Sequence, residues 1–405
     1  MTGQATSNPP SSPFTAAFVA DPYPTYAALR EAGPVHRIPL PDGTTAWLVT
    51  RYAEVRAALA DPRLSLDKAN SDGTWRGFSL PPALDANLLN MDPPNHTRIR
   101  RLTRAAFGPQ RITDLRPRVE AAAEELLDRI AADGRADLVA DYAGPLPVTV
   151  ICDLLGVPAQ DRAALRGWTD VMLSPPADDP RAAGRVVVQL QEFMVRLIAD
   201  KRREPGDDLL SAMIAARDTG SDGSTDRLSE DELTSLAFLV LFAGYENSVH
   251  LIGTGILALL RQPEQLDGLR EASELPAAAV EELLRYEPPS PVALRRFPVT
   301  DLEIGGVTIP AGATVLLGVA AANRDPRRFD NPELLDVSRS DNGQLTLGHG
   351  IHYCVGAPLA RLELQVAVGA VLRRFPKLAL AVDPAELAWR PSFRTRGLRS
   401  LPVTF

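Results

Sequence analysis

The stretch Leu347-Gly348-His349-Gly350-Ile351-His352-Tyr353-Cys354-Val355-Gly356-Ala357-Pro358 decides the reading of this chain. Two glycines precede the cysteine and one follows two residues later, which permits a tight backbone turn around a sulfur. Pro358 suits the first turn of a helix, and helical periodicity runs over 359–374. The sulfur of Cys354 therefore stands just before a helix N-terminus, where backbone N–H groups and the helix dipole favour a thiolate. A thiolate in a glycine-lined loop is a metal ligand or a nucleophile. The bland alternative is a small buried hydrophobe, which describes most lone cysteines. It suits Cys152, inside the apolar run 148–155, whereas the glycine spacing argues against it for Cys354.

Around this loop lie 405 residues, 45% of them hydrophobic and 23% charged, enough to bury a large core. The 36 prolines imply fixed turns rather than disorder, because the apolar fraction stays high. A net charge of −8 argues against nucleic acid as a partner. Two cysteines make no disulfide framework and suit a reducing cytosol. The first residues are polar and rich in proline and serine, without the pattern of a signal peptide. The most apolar stretch, 233–260, is interrupted by Glu246, Asn247 and His250, so no uncharged run reaches the roughly 20 residues of a membrane span. A soluble, cytoplasmic protein with no membrane partner is expected.

The periodicities predict a mainly α chain with a small β portion and no βαβ alternation. Residues 1–13 read as a flexible tail and 14–405 as a single domain. Helices are expected over 22–31, 52–59, 97–107, 112–132, 147–155, 181–201, 229–260, 275–286 and 359–374. Pro41-Asp42-Gly43 between 35–40 and 44–50 predicts a hairpin, and 297–319 reads as a second strand zone. Segment 324–346 reads as an ordered meander. No G-x-S-x-G elbow, G-x-x-x-x-G-K loop or H-E-x-x-H pair occurs, and Tyr353 stands where a dinucleotide loop needs its third glycine.

Three further patterns carry chemistry. Ala243-Gly244-Tyr245-Glu246-Asn247-Ser248 places a carboxylate and an amide inside an apolar helix, where an unpaired charge is costly. The small Ala243 and Gly244 would let a flat ligand approach the backbone and let the helix widen. The alternative is a chance glycine beside a glutamate that reaches solvent. Glu282-Leu283-Leu284-Arg285 sets opposite charges at i, i+3, by itself a commonplace surface pair. Asp92-Pro93-Pro94-Asn95-His96-Thr97-Arg98-Ile99-Arg100-Arg101 opens a helix with His96 and Arg100 on one face.

In this order the motifs resemble the cytochrome P450 family, whose cysteine loop is F-x-x-G-x-x-x-C-x-G. Gly350, Cys354 and Gly356 match, and Leu347 replaces the phenylalanine. The central motif is similar to A/G-G-x-D/E-T, with Glu246 at the acid and Asn247 in place of threonine. Glu282 and Arg285 match E-x-x-R, with Arg339 as third partner, and the helix start at 92–100 resembles D-P-P-x-H-x-x-x-R. The resemblance spans nearly the whole chain.

It implies the P450 fold and a haem b whose iron takes Cys354 as axial ligand. Leu347, Gly348 and Gly356 belong to the ligand loop, and Ala243 and Gly244 to the distal wall. His96, Arg100, Arg296 and His352 are the implied propionate partners, and bidentate arginine is a natural donor there. Glu246, Asn247 and Ser248 are the implied catalytic group for dioxygen, although an amide cannot act as a hydroxyl relay. The family further implies a ferredoxin and ferredoxin reductase as electron donors, docking on a face near Arg98, Arg101 and Arg104. The expected reaction is insertion of one oxygen atom, as hydroxylation or epoxidation, into an apolar small-molecule substrate, with a macrolide, polyketide or other secondary metabolite as the class the resemblance implies. Its pocket is expected from 68–89, 168–176, 237–247, 289–294 and 392–394, with Arg394 facing outward. Two rivals remain at this level: a haem-binding sensor or carrier that lost oxygen activation, and a zinc hydrolase built on His349, His352 and Cys354.

Overall fold

The computed structural model describes residues 12–76, 80–173, 179, 181–218, 227–272 and 274–405. The expected tail at 1–13 lies outside these residues up to position 11. A helix of 31 residues, Glu230–Leu260, runs through the molecule. Its start is set by sequence: Ser229 accepts from the Glu232 amide while Glu232 reaches back to the Ser229 amide. Glu230, Asp231 and Glu232 then place negative charge at the positive end of the helix dipole. Apolar residues cover nearly its whole circumference because helices surround it. Pro145–Leu155, Ala182–Arg203 and Ala357–Arg374 pack against it, as does the short helix Pro82–Asp85. By length and composition alone this helix could cross a membrane, yet 72% of its apolar window is buried inside the fold.

Ala357–Arg374, the helix after the cysteine loop, packs on both the central helix and Pro109–Ala131. The hairpin forms as expected, with Val35 opposite Val49 and Pro39 opposite Thr45. Its second strand pairs in parallel with Val315–Leu317, Trp47 facing Val315. A second small sheet joins Arg135–Asp137, Pro402–Thr404 and Ala379–Leu380. Ala159–Leu173, Leu209–Asp218 and Pro263–Arg270 are helices that the periodicity did not predict. The last two are ten and eight residues long, so each shows barely two turns of pattern.

Glu282 and Arg285, the pair matched to E-x-x-R, have fully buried side chains joined by two 2.7 Å hydrogen bonds. Arg339 Nε donates to Glu282 Oε2 at 3.1 Å. Arg285 also donates to the carbonyls of Asn323, Pro332 and Leu334. Removing one member leaves a buried charge unpaired. Arg285→Ala should therefore lower unfolding free energy by about 3–5 kcal/mol. Urea denaturation measures this, and an unchanged midpoint would show that the pair does not support the fold.

Candidate active site

The cysteine loop is shaped by two left-handed glycines, Gly348 at φ 78° and Gly350 at φ 76°. A Cβ on Gly350 would stand 3.0 Å from the Ala60 Cα, so the loop can lie against the helix Tyr52–Ala60 only with glycine there. The Cys354 amide donates to the Leu347 carbonyl at 2.8 Å, and Leu347 itself is buried. Ala357–Arg374 begins three residues after the cysteine with Pro358 in its first turn, as the sequence requires. Burial pushes the Cys354 thiol pKa up, while the Gly356 N–H at the start of the helix, Arg100 and Arg361 pull it down.

Beside the loop the four proposed anion-binding residues converge. His96 and His352 have ring centroids 4.1 Å apart. Both ring nitrogens of His96 and the Nε of Arg296 are buried without a hydrogen-bond partner. Burial, then the nearby Arg100, holds His96 down at about 4. Burial, His96 and Arg296 hold His352 at about 3. Arg296 itself is lowered to about 10 by burial. Arg100 donates to the Tyr353 carbonyl at 2.5 Å, which ties its helix to the loop. Asp92 opposes these shifts, but its carboxylate is taken by the Ser65 hydroxyl and the Leu66 amide. Basic groups gathered with unmet donors and depressed basicity suit an incoming pair of carboxylates, as haem propionates would provide.

On the central helix four consecutive residues face four neighbours. Tyr245 donates to Asp170 at 2.8 Å. Glu246 is 18% exposed, with Oε1 3.6 Å from His250 Nε2, so it is neither deeply buried nor alone. Asn247 accepts from Ser290 at 3.0 Å and donates to the Ala243 carbonyl at 3.3 Å. Ser248 donates to Glu363 Oε2 at 2.5 Å. The helix stays α-helical through this region rather than widening. A Cβ on Gly244 would meet Ile151 Cδ1 at 2.7 Å, so this glycine admits the neighbouring helix rather than a flat ligand.

Glu363, absent from the sequence reading, is buried with Oε1 unpartnered, and burial pushes its pKa up to about 8 against the Ser248 bond. Its signal was present: Glu363 shares the i, i+4 stripe of Leu359, Ala367 and Val371. Cys152 is core as expected, its thiol pushed up to about 12 by burial.

Other expectations changed. Arg98 is drawn inward, donating to Glu232 and to the Arg227 carbonyl, rather than presenting a free basic face. Arg394 is exposed. Residues 77–79 and 174–176 of the expected pocket lie outside the described residues, as does the Arg104 side chain. Among the described residues no three His, Cys, Asp or Glu side chains converge as a metal cluster, and His352 packs on His96.

Comparison with known proteins agrees with this geometry. The family model "Cytochrome P450" matches residues 166–384, more than half of the chain. The cytochrome P450 monooxygenase PikC of Streptomyces venezuelae is 48% identical over 95% of this chain and 91% of its own. The chain belongs to the cytochrome P450 family. It is also 44% identical to the 6-deoxyerythronolide B hydroxylase of Saccharopolyspora erythraea, over 95% of this chain and 96% of that one. The solved structure of PksS, the P450 of the Bacillus subtilis bacillaene polyketide synthase, matches with a TM-score of 0.89. It is 38% identical and covers 97% of this chain and 98% of its own. This P450 is thus a monooxygenase, an oxidoreductase with a haem-thiolate iron and the mainly α fold of its family.

Glu363 offers a direct test of the site's electrostatics. Folding raises its pKa from 4.5 to about 8, so the folded chain holds a proton that the unfolded chain releases between those values. The stability this proton contributes is present at low pH and lost as pH rises through the interval. Glu363→Gln cannot ionise and should show a flatter decline of unfolding free energy across that range. Parallel declines for variant and wild type would place the proton elsewhere.

Proposed function

We propose that this P450 inserts one atom of dioxygen into an apolar small molecule by hydroxylation or epoxidation. A macrolide, polyketide or related secondary metabolite is the substrate class. The observation that carries the site assignment is the buried set of unmet basic groups, His96 and Arg296 with His352, beside the Cys354 loop. The names of two relatives, a 6-deoxyerythronolide B hydroxylase and the P450 of a bacillaene polyketide synthase, favour the substrate class.

Cys354 would hold the iron of a haem b through its sulfur, giving up its thiol proton on binding. Leu347, Gly348 and Gly356 fix the loop that presents the sulfur. His96, Arg100, Arg296 and His352 would take the propionates, and the central helix at Ala243 would cover the other face. When bound, the haem supplies cleavage of dioxygen: two electrons and two protons enter, one oxygen atom joins the substrate, and the other leaves as water.

The chain supplies the protons. Glu246 collects them at the edge of solvent, Asn247 orients polar groups through its bond to Ser290, and Ser248 offers a hydroxyl. Glu363, protonated up to about pH 8, backs Ser248 with a second proton source. This arrangement compensates for the missing hydroxyl at position 247.

A ferredoxin and its reductase deliver the electrons from NAD(P)H, docking where Ile351 and Tyr353 are exposed beside the loop. We read residues 14–405 as one domain, and the two free cysteines favour a cytoplasmic location.

The test is the absorption spectrum of the reduced protein under carbon monoxide. A strongly red-shifted Soret band is expected, and Cys354→Ala should abolish it. A histidine-type band in the wild type would remove Cys354 as axial ligand. Macrolides and polyketides should then shift the spin state on titration. A screen in which they never do so, while other apolar compounds do, would overturn the substrate class.

A further inference from the structure

One turn beyond Glu246 the central helix carries His250, whose ring is 1% exposed. Its Nε2 has no hydrogen-bond partner and lies 3.6 Å from Glu246 Oε1, outside hydrogen bonding and within ion pairing. A small rotation of either side chain closes that gap, and leaving a buried ring nitrogen unmet is costly. The ring cannot turn elsewhere. Gly397 lies so close that a Cβ there would stand 2.1 Å from His250 Nδ1 and 2.5 Å from Cε1 and Cγ. The Gly397 carbonyl is held by the Arg390 amide at 2.9 Å, and Trp389 bridges Leu398, so this wall is itself fixed. Thr254 caps the His250 carbonyl at 2.8 Å from the next turn.

We propose that His250 is a positioning residue whose Nε2 fixes the rotamer of Glu246 between solvent and the substrate site. The inference rests on Glu246 as the proton-collecting acid. A glutamate at the protein edge otherwise samples several rotamers, and each one pointing into water removes the carboxylate from the path. A ring locked by Gly397 supplies one fixed donor, and that donor selects among them.

The chain has only five histidines, which makes their ring resonances separable. The test uses the reduced, carbon monoxide-bound holoprotein with 15N-labelled histidine, the His250 signal being identified by its loss in His250→Gln. In Glu246→Gln the His250 ring resonances should shift at fixed pH, because the facing carboxylate is gone. Unmoved His250 resonances would overturn the pairing.

Function is read as ferredoxin-driven NAD(P)H consumption with no substrate added. His250→Leu should slow it about tenfold, while His250→Gln, which keeps a donor near the same point, should retain it. Gly397→Ala, which displaces the ring without altering its chemistry, should reproduce the loss. Carbon monoxide spectra and melting curves confirm that each variant folds and holds haem. Equal loss in His250→Gln and His250→Leu would make the residue mere packing and overturn the proposal. A slowed Glu246→Gln beside an unaffected His250→Leu would overturn it while sparing Glu246. An unaffected Glu246→Gln would overturn the role of Glu246 and this inference together.

Discussion

Glu282 and Arg285 sit without exposed surface one helical turn apart, and between them they satisfy the backbone of a long segment that has little regular structure. Arg285 collects three carbonyls, from Asn323, Pro332 and Leu334. Glu282 accepts from the Asp336 amide, from Arg339 and from Asn342. A meander without sheet or helix must find partners for every buried peptide group, and a guanidinium beside a carboxylate offers more than any neutral pair. Asn323 extends the network to the Leu345 amide, and Thr346 donates to the Leu284 carbonyl at 2.6 Å. The next residue is Leu347, the first of the cysteine loop. The sulfur is placed by an ion pair more than sixty residues earlier in the chain.

The central helix solves a different problem. At 100° per residue, consecutive side chains point in four directions within one turn. Tyr245, Glu246, Asn247 and Ser248 therefore each meet a separate neighbour: Asp170, His250, Ser290 and Glu363. Asp170 belongs to Ala159–Leu173 and Glu363 to the helix that follows the cysteine loop. Tyr245, Asn247 and Ser248 thus couple the turn to distant elements, each through a partner across the packing, while Glu246 faces His250 on its own helix. This is why so polar a turn is tolerated in a helix buried on nearly all sides.

Much of this was legible in the sequence because it depends on local rules. The hairpin follows from Pro41-Asp42-Gly43 between β-branched and aromatic residues, and the loop follows from glycines that must be left-handed. The missed helices Leu209–Asp218 and Pro263–Arg270 are too short for periodicity to mark. The partners of the central turn were not legible, since Ser248 and Glu363 are 115 residues apart. Gly244 shows the same limit from the other side. Its small size was visible, but whether it admits a ligand or Ile151 depends on how two helices cross. Glu363 was within reach, because a carboxylate on an apolar stripe needs an explanation even when its partner is unknown.

The basic cluster at His96, His352 and Arg296 breaks the rule that buried polar groups are satisfied, gathering both ring nitrogens of His96 and the Arg296 Nε without partners beside one loop. Local disagreement with an otherwise consistent fold is the mark of a site shaped for something other than stability. Burial holds the imidazole pKa values low, and each new positive charge would also repel Arg296 and Arg100. Two carboxylates arriving together would reverse both signs, filling the unmet donors and offsetting the repulsion. The strain and the specificity are therefore one feature. A neutral flat ligand would leave the arginine and the imidazoles as costly as before, while a dianionic edge would relieve them, so under the proposed assignment the cluster would select the cofactor by its charge as the cysteine loop would by its metal.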